Sequence, residues 1–498
     1  MRIGISRRLI MCEVHDILYI QARMEERKMV GIQHIIRYGT DGDKKDLLNM
    51  QDKFDCLVIN ANMLAFHSNT IAKFLAFELK NTPFFIDPLT YAFQRNIRLL
   101  YAKGTDNNAT EVIFKKSIHN LVDSFPTLSV VLEENRALKL EEISDESNLL
   151  KLCEEDLKFQ MELLKDSLSE GNDADFFYFE NDDTTQLVKE KVEPIWIVAP
   201  YFYLDYENLE WLKINKRLCE RMREVMDGAE VHKKMMVQLL MSKDILCNIQ
   251  ILEQIAGTYS DMDCDGVLIW IDDFDETKAT REELEGFVYL LKKLQNKLVY
   301  NLYGSFFSVV LTNDEIGLLN GVGHGMEYGE SRSAFPVGGG IPSSKYYFLP
   351  IHQRMDFQMS YQLLHETGII DLNEKNWGDA DSYFREICKC AICKDILKEG
   401  MIGFTKFQST ELYEINYKTH TSRRAKPTPE TKKYCRIHYL ECKTFEYLFA
   451  RKKSIEQIHK DLCKMCEKYN DLLEERNVNA NYLSTWSDVL STFIRDSL

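Results

Sequence analysis

Three cysteines fall within six residues, Cys388-Lys389-Cys390-Ala391-Ile392-Cys393, and Cys435-Arg436-Ile437-His438 follows after a basic stretch. A tight turn lets three such thiolates converge on one ion, and Zn²⁺ takes four donors in a tetrahedron, with thiolate and imidazole common among them. Three residues compete for the fourth position. His438 opens a helical run, Tyr439 to Ala450, which would set its imidazole at a helix start facing the thiolates. His420 is nearer in sequence but lies in a polar stretch, and Cys435 is a weaker choice. His438 is preferred. Reduced thiols without an ion are the competing reading, but a cysteine cluster in a reducing compartment reads as a metal or redox site before a disulfide. A Cys-x-Cys-x-x-Cys set plus His fills all four positions and leaves none for water. The expected cofactor is therefore a structural Zn²⁺ rather than a catalytic one.

Charge offers a second chemistry. The chain of 498 residues carries a net charge of −16, which argues against uniform coating by nucleic acid. The acidic residues concentrate between 131 and 193, however, and the stretch from Lys418 to Lys460 is basic. Arg423, Arg424, Lys426, Lys432, Lys433 and Arg436 lie there, and a local positive face beside a zinc knot can hold phosphates. An ordinary solvated helix surface is the alternative. A hydrophobic share of 45% and a charged share of 28% are those of a soluble globular protein. No apolar run reaches the roughly 18 residues of a membrane span, so no membrane partner is expected. The N-terminus lacks the apolar core of a signal peptide, and scattered unpaired cysteines fit the cytoplasm.

The elements that would position these groups alternate. Short apolar runs read as buried parallel strands at Cys56 to Asn62, Pro83 to Pro88, Ile195 to Tyr201, Met235 to Leu240 and Gly266 to Asp273. Val299 to Gly304 with Phe306 to Leu311 carries the next strand region, and Gly317 to Val322 begins another. Helices are expected at Asn69 to Leu79, Leu209 to Met226, within Lys243 to Tyr259, and at Thr280 to Gln295. Residues 1–50 show no firm pattern. Strand–helix alternation implies parallel pairing with right-handed crossovers. The simplest architecture is an α/β fold, a (β/α)₈ TIM-like barrel over residues 1–380 with an acidic helical insertion at about 110–193. A zinc-binding subdomain at 381–450 and a C-terminal helical segment at 451–498 complete it. A doubly wound open sheet is the runner-up, without a Gly-rich dinucleotide fingerprint.

In such barrels the strands' C-terminal ends form the active site. Asp87, Asp205, Gln238, Asp272, His324, Glu327 and Glu330 would gather there. The Gly-rich stretch from Gly317 to Gly340 lets backbone approach a ligand closely. Its His324, between two glycines, is expected to project toward that ligand rather than pack in the core. Asp272 and Asp273, with Asp275 and Glu276, read more readily as a helix N-terminal acid cluster before Thr280 than as a cation site.

A barrel followed by Cys388-x-Cys390-x-x-Cys393 and His438 resembles the tRNA-guanine transglycosylase superfamily. The closer likeness is to its DNA-modifying branch, the DpdA-like 7-deazaguanine transglycosylases. Phe84-Phe85-Ile86-Asp87-Pro88, Val198-Ala199-Pro200, Val237-Gln238-Leu239 and Leu302-Tyr303-Gly304 carry the rest of the resemblance, over residues 55 to 460. It implies exchange of a guanine-type base in nucleic acid, DNA favoured over tRNA, for a 7-deazaguanine base. Two carboxylates would flank a bond whose transition state resembles an oxocarbenium ion. Asp87 matches the family's acid/base aspartate. The family's following Ser-Gly-Gly is replaced by Pro88-Leu89-Thr90-Tyr91, and the last strand carries no aspartate. Glu327 or Glu330 stands nearest the nucleophile's place. Arg332 matches an arginine after that strand and would bind phosphate, with Asp205, Gln238, Asp272 and His324 as further substrate contacts. A non-catalytic, zinc-containing nucleic-acid-binding relative is the alternative the missing aspartate leaves open.

Overall fold

The computed structural model describes residues 31–39, 41–79, 82–102, 113–169, 192–326, 329–335, 344–370, 380–398, 400–416, 421–474 and 480–496. Eight parallel strands form one sheet: β1 His34–Tyr38, β2 Cys56–Asn60, β3 Phe84–Asp87, β4 Trp196–Val198, β5 Lys234–Ser242, β6 Gly266–Asp272, β7 Leu298–Asn301 and β8 Gly321–Gly325. Their order is β3-β2-β1-β8-β7-β6-β5-β4. The two ends of that order meet where Ile195 N–H donates to the Phe84 carbonyl at 2.9 Å, so the sheet curls into a nearly closed barrel. Parallel strands buried on both faces read as unbroken apolar runs, which is why most of them were legible.

Alternation sorts the strand residues into two cores. Ile35, Val58, Phe85, Val198, Met236, Leu268 and Tyr300 fill the barrel interior. Ile36, Leu57, Ile86, Ile197, Leu239 and Ile269 face outward onto the helices. Around the barrel run α1 Asp41–Asn49, α2 Ala61–Lys73, α3 Lys116–Ser124, α4 Glu146–Ser169, α5 Trp211–Gly228, α6 Ile249–Asp261, α7 Arg281–Lys293 and the short α8 Phe306–Val310. On α5 the buried Trp211, Ile214, Leu218, Met222 and Met226 recur at three- and four-residue steps, one apolar stripe against the sheet. At the start of α7, Thr280 and Glu283 cap each other's backbone, at 3.2 and 2.7 Å, and Lys292 and Lys293 complement its last turn. In the expected acidic insertion α3 and α4 are joined by short helical turns at Pro126–Leu128, Val130–Glu133 and Leu140–Ile143; residues 110–112 and 170–191 of that stretch lie outside the described residues.

One unassigned stretch is resolved and three expectations are corrected. β1 comes from the stretch that showed no firm pattern, because His34 and Arg37 interrupt its five residues and leave too short an apolar run. α2 begins at Ala61, directly after β2, eight residues before the expected start. Phe306 to Leu311, expected to extend a strand, forms α8. Buried Glu276 accepts the N–H groups of Ser305 and Ser308, at 3.0 and 3.2 Å, and this carboxylate at the first turn favours the helix. His438 does not sit at a helix start, because its helix begins at Pro429.

Beyond the barrel come the hairpin β9 Lys345–Phe348 and β10 Gln353–Asp356, then α9 Phe357–Glu366, α10 Ala380–Glu386 and α11 Ala391–Ile396. A second hairpin, β11 Thr410–Asn416 with β12 Thr421–Pro427, leads into α12 Pro429–Lys452. The tail folds as two amphipathic helices, α13 Ile455–Glu474 and α14 Asn481–Asp496, which pack against each other. Among the described residues no helix is long and apolar enough to cross a membrane.

Candidate active site and metal centre

The carboxyl at the end of β3 lies inside the barrel mouth. Asp87 is 1% exposed. Its Oδ1 accepts from the Tyr201 hydroxyl at 2.7 Å and from Leu89 N–H at 3.1 Å. Tyr201 in turn accepts from Gln238 Nε2 at 2.8 Å, so Gln238, Tyr201 and Asp87 form a chain. Burial pushes the Asp87 carboxyl above its usual range, and Tyr201, Leu89, Arg332 and Arg37 pull it back only in part. A carboxyl held toward its neutral form is a proton donor. Two acceptors beside it, Gln238 Oε1 and Asn60 Oδ1, are buried with no hydrogen-bond partner.

The chain after β8 lies across this mouth as a strap. Arg332 Nη1 donates to Tyr303 Oη at 2.9 Å, and its guanidinium lies over the Trp270 ring, 5.1 Å from the centroid. Its carbonyl accepts from Trp270 Nε1 at 3.0 Å and from Asp273 N–H at 3.1 Å. Ala334 N–H donates to Asp272 Oδ1 at 2.7 Å, while Asp272 Oδ2 accepts from Tyr203. Phe335 closes against Tyr91 and Tyr203. Arg332 and Asp272 therefore meet Asp87's neighbourhood through the strap. Asp205 sits toward the rim, ion-paired with Arg95 and accepting from Glu207 N–H and Asn208.

The last strand contributes no side chain to the interior. Register places Gly323 beside inward Ile35 and Gly325 beside Arg37. A Cβ at Gly323 would come within 2.7 Å of the Leu302 carbonyl, and one at Gly321 within 2.5 Å of the Gln33 carbonyl. Since the glycines take the inward positions, His324 faces outward, and the expectation that it reaches a ligand is corrected. It is 1% exposed, with its Nε2 2.6 Å from His34 Nε2 and its ring against Tyr439. Burial, then His34, holds its imidazole well below the usual pKa.

Glu330 does not join Asp87 in any described contact. Its carboxylate faces Lys443 Nζ at 3.1 Å and Arg354 Nε at 3.9 Å. Lys443, fully buried, also pairs with Glu446 at 2.8 Å and meets the Tyr347 hydroxyl at 3.2 Å. Burial works against the ammonium, but Glu446 and Glu330 outweigh it and hold it above its usual range. Glu327 lies outside the described residues.

The metal-binding residues do converge. Cys388, Cys390, Cys393 and His438 present donor atoms that all lie within 4.8 Å of one another. Turns set the sulfurs: Cys388 Sγ accepts from Cys390 N–H at 3.4 Å, and Cys390 Sγ caps α11 by accepting from Cys393 N–H at 3.3 Å. On α12, His438 turns its Nδ1 to the three sulfurs, at 3.8, 3.3 and 3.4 Å. Its Nε2 donates to the Tyr347 carbonyl at 2.8 Å, which orients the ring for coordination through Nδ1. This donor set can hold a metal ion. Cys435 turns away, its thiol donating to the Phe407 carbonyl, and His420 lies outside the described residues.

The basic residues divide. Arg423 pairs with Glu414 across the second hairpin and Lys426 with Glu411, while Arg424 and Lys433 are exposed. Lys432 is half-buried near the start of α12. Arg436 is 9% exposed and ion-paired with Asp43 and Asp46 on α1. Its expected place on a nucleic-acid face is corrected, because a residue seven positions into α12 falls on the side packed against the barrel.

Sequence reasoning missed the aromatic wall of the mouth (Tyr91, Tyr201, Trp270, Tyr303), since isolated aromatics carry no spacing signal. It also missed Cys442, whose position one helical turn after His438 was legible. A scan against protein-family models finds none that matches the chain, and a search of curated proteins finds no match either. The parallel barrel with its three-cysteine, one-histidine cluster fits a TIM-barrel superfamily fold in general. Barrel and cluster are together consistent with an enzyme that acts on nucleic acid.

Proposed function

We propose that the chain is a transglycosylase exchanging a guanine-type base in nucleic acid, DNA in preference to tRNA, for a 7-deazaguanine base. The supporting observation is Asp87: a buried carboxyl held toward its neutral form at a barrel mouth, hydrogen-bonded through Tyr201 to Gln238. In this reading a glutamate carboxylate attacks the anomeric carbon, the carbon–nitrogen bond to guanine breaks, and Asp87 delivers the proton to the leaving base. The incoming deazaguanine then displaces the glutamate and returns a proton to Asp87. Glu327 is the nucleophile this reading favours, since Glu330 is engaged by Lys443. The unpaired Gln238 and Asn60 oxygens would accept N–H donors from a base. The strap must withdraw first, because it covers Asp87. Structural Zn²⁺ would brace the clasp in a reducing, cytoplasmic setting, and Arg423, Arg424 and Lys433 would meet phosphates.

One observation favours a second reading, a non-catalytic nucleic-acid-binding relative. Two inward positions of β8, Gly321 and Gly323, are glycines whose surroundings admit no side chain. Incubation with guanine-containing DNA or tRNA and a labelled 7-deazaguanine base separates the two. Exchange is expected to be abolished in Glu327→Gln and reduced about 10²- to 10⁴-fold in Asp87→Asn. Salt-sensitive binding without any incorporation supports the second reading. Incorporation unaffected in Asp87→Asn and Glu327→Gln overturns the residue assignment.

A further inference from the structure

Helix α12 carries a second soft donor one turn beyond His438. Residues four apart on a helix share a face, and Cys442, 1% exposed, turns toward the cluster. Its Sγ lies 3.7 Å from Cys388 Sγ and 3.7 Å from His438 Nδ1. Bonds of about 2.3 Å to sulfur and about 2.0–2.1 Å to nitrogen put the ligand atoms of a tetrahedral zinc roughly 3.6–3.8 Å apart. Cys442 thus stands at a ligand's distance from two members of the set. It is not, however, one of the four residues whose donor atoms group within 4.8 Å of one another. Five donors surround room for four.

The arrangement has a direction. A cavity of about 1530 Å³ runs between the start of the barrel strands and the clasp, lined by Cys388, Cys390 and Cys442 but not by Cys393 or His438. Cys442 is therefore on the cavity side of the cluster, and His438 on the far side, held by Tyr347 and stacked on Tyr346 at 4.4 Å.

We propose that Cys442 is a fifth ligand of the metal centre, exchanging with His438 so that a thiophilic divalent ion rests in either a three-cysteine, one-histidine set or a four-cysteine set. The exchange balances within the site. As the Cys442 sulfur takes the fourth position, its thiol proton passes to the Nδ1 that His438 vacates. Reversal returns it. The inference concerns the clasp alone and holds whether or not the barrel exchanges bases.

Metal content and cobalt spectra of the full chain test it, in the native protein, His438→Ala, Cys442→Ser and the double variant, with circular dichroism as the check on folding. Each single variant is expected to keep one metal per chain, and the double variant to bind at least about tenfold more weakly. In His438→Ala the thiolate-to-cobalt charge-transfer band should rise by about a third, the step from three thiolates to four, and should ignore added imidazole. A His438→Ala protein as metal-poor as the double variant overturns the proposal. So does one that keeps a three-thiolate spectrum and responds to imidazole. If His438→Ala does not fold, zinc release to a chelator from Cys442→Ser decides instead. Release about tenfold slower than native is expected, because the exchanging donor is gone, and an unchanged rate overturns the idea.

Discussion

The barrel mouth and the metal clasp both bury charge, and they do so by opposite rules. In the clasp two buried cations each meet a pair of carboxylates: Lys443 lies between Glu446 and Glu330, and Arg436 between Asp43 and Asp46. In the mouth Asp87 is pushed toward its neutral form, and two amide oxygens lack donors. A region whose buried charges are paired within the chain is scaffold. A region that pushes a buried carboxyl toward its neutral form and leaves acceptors unpaired is suited to a ligand that completes them, since unpaired buried groups are costly.

The largest effect tests the scaffold. Lys443→Met leaves Glu446 without its buried ammonium partner, with only His352 and the Tyr347 hydroxyl beside it, and should cost about 3–5 kcal/mol in chemical denaturation; a loss below about 1 kcal/mol would show that the pair is solvated. Acid acts on the same pair. Glu446 is lowered from 4.5 to about 2, through Lys443 and then His352 outweighing burial. Its contribution, about 3 kcal/mol, is present above pH 4.5 and drains away as pH falls toward 2. Glu446→Gln should flatten that acid limb.

Asp87 has the opposite sign. Its folded pKa is raised, so its contribution is complete in acid and is lost as pH rises through the folded value. Asp87→Asn should therefore match the native chain in acid and exceed its stability at alkaline pH. Thermal melts across pH read this, and a variant weaker at every pH would place Asp87 with the scaffold instead. The smallest effect concerns the strap. Asp272→Ala removes the acceptor of Ala334 N–H. Hydrogen exchange at Ala334 and Asp273 should quicken while α7 and α12 stay protected. Equal quickening everywhere would mean that the strap does not open by itself.

Much of this was readable before any fold was in view. Five strands announced themselves as apolar runs because both faces of a parallel barrel are dry. The Cys388–Cys393 spacing and His438 named a metal site, since a turn makes local thiols neighbours whatever the remainder of the chain does. Asp87 was legible as the polar end of such a run. Other features came only from packing across long separations. The outward turn of His324 followed from glycines at the inward positions of β8. Glu330 went to an ion pair with Lys443, and Arg436 to ion pairs with Asp43 and Asp46, partners more than a hundred residues away. The strap ties Arg332, Ala334 and Phe335 to Tyr91, Tyr203, Trp270, Asp272 and Tyr303 through contacts that leave no periodic mark. Composition and local spacing specify which groups are near in sequence, and so the elements and the thiol cluster. Which carboxyl is pushed toward its neutral form, which arginine is engaged and which face a histidine shows depend on what burial brings together in three dimensions.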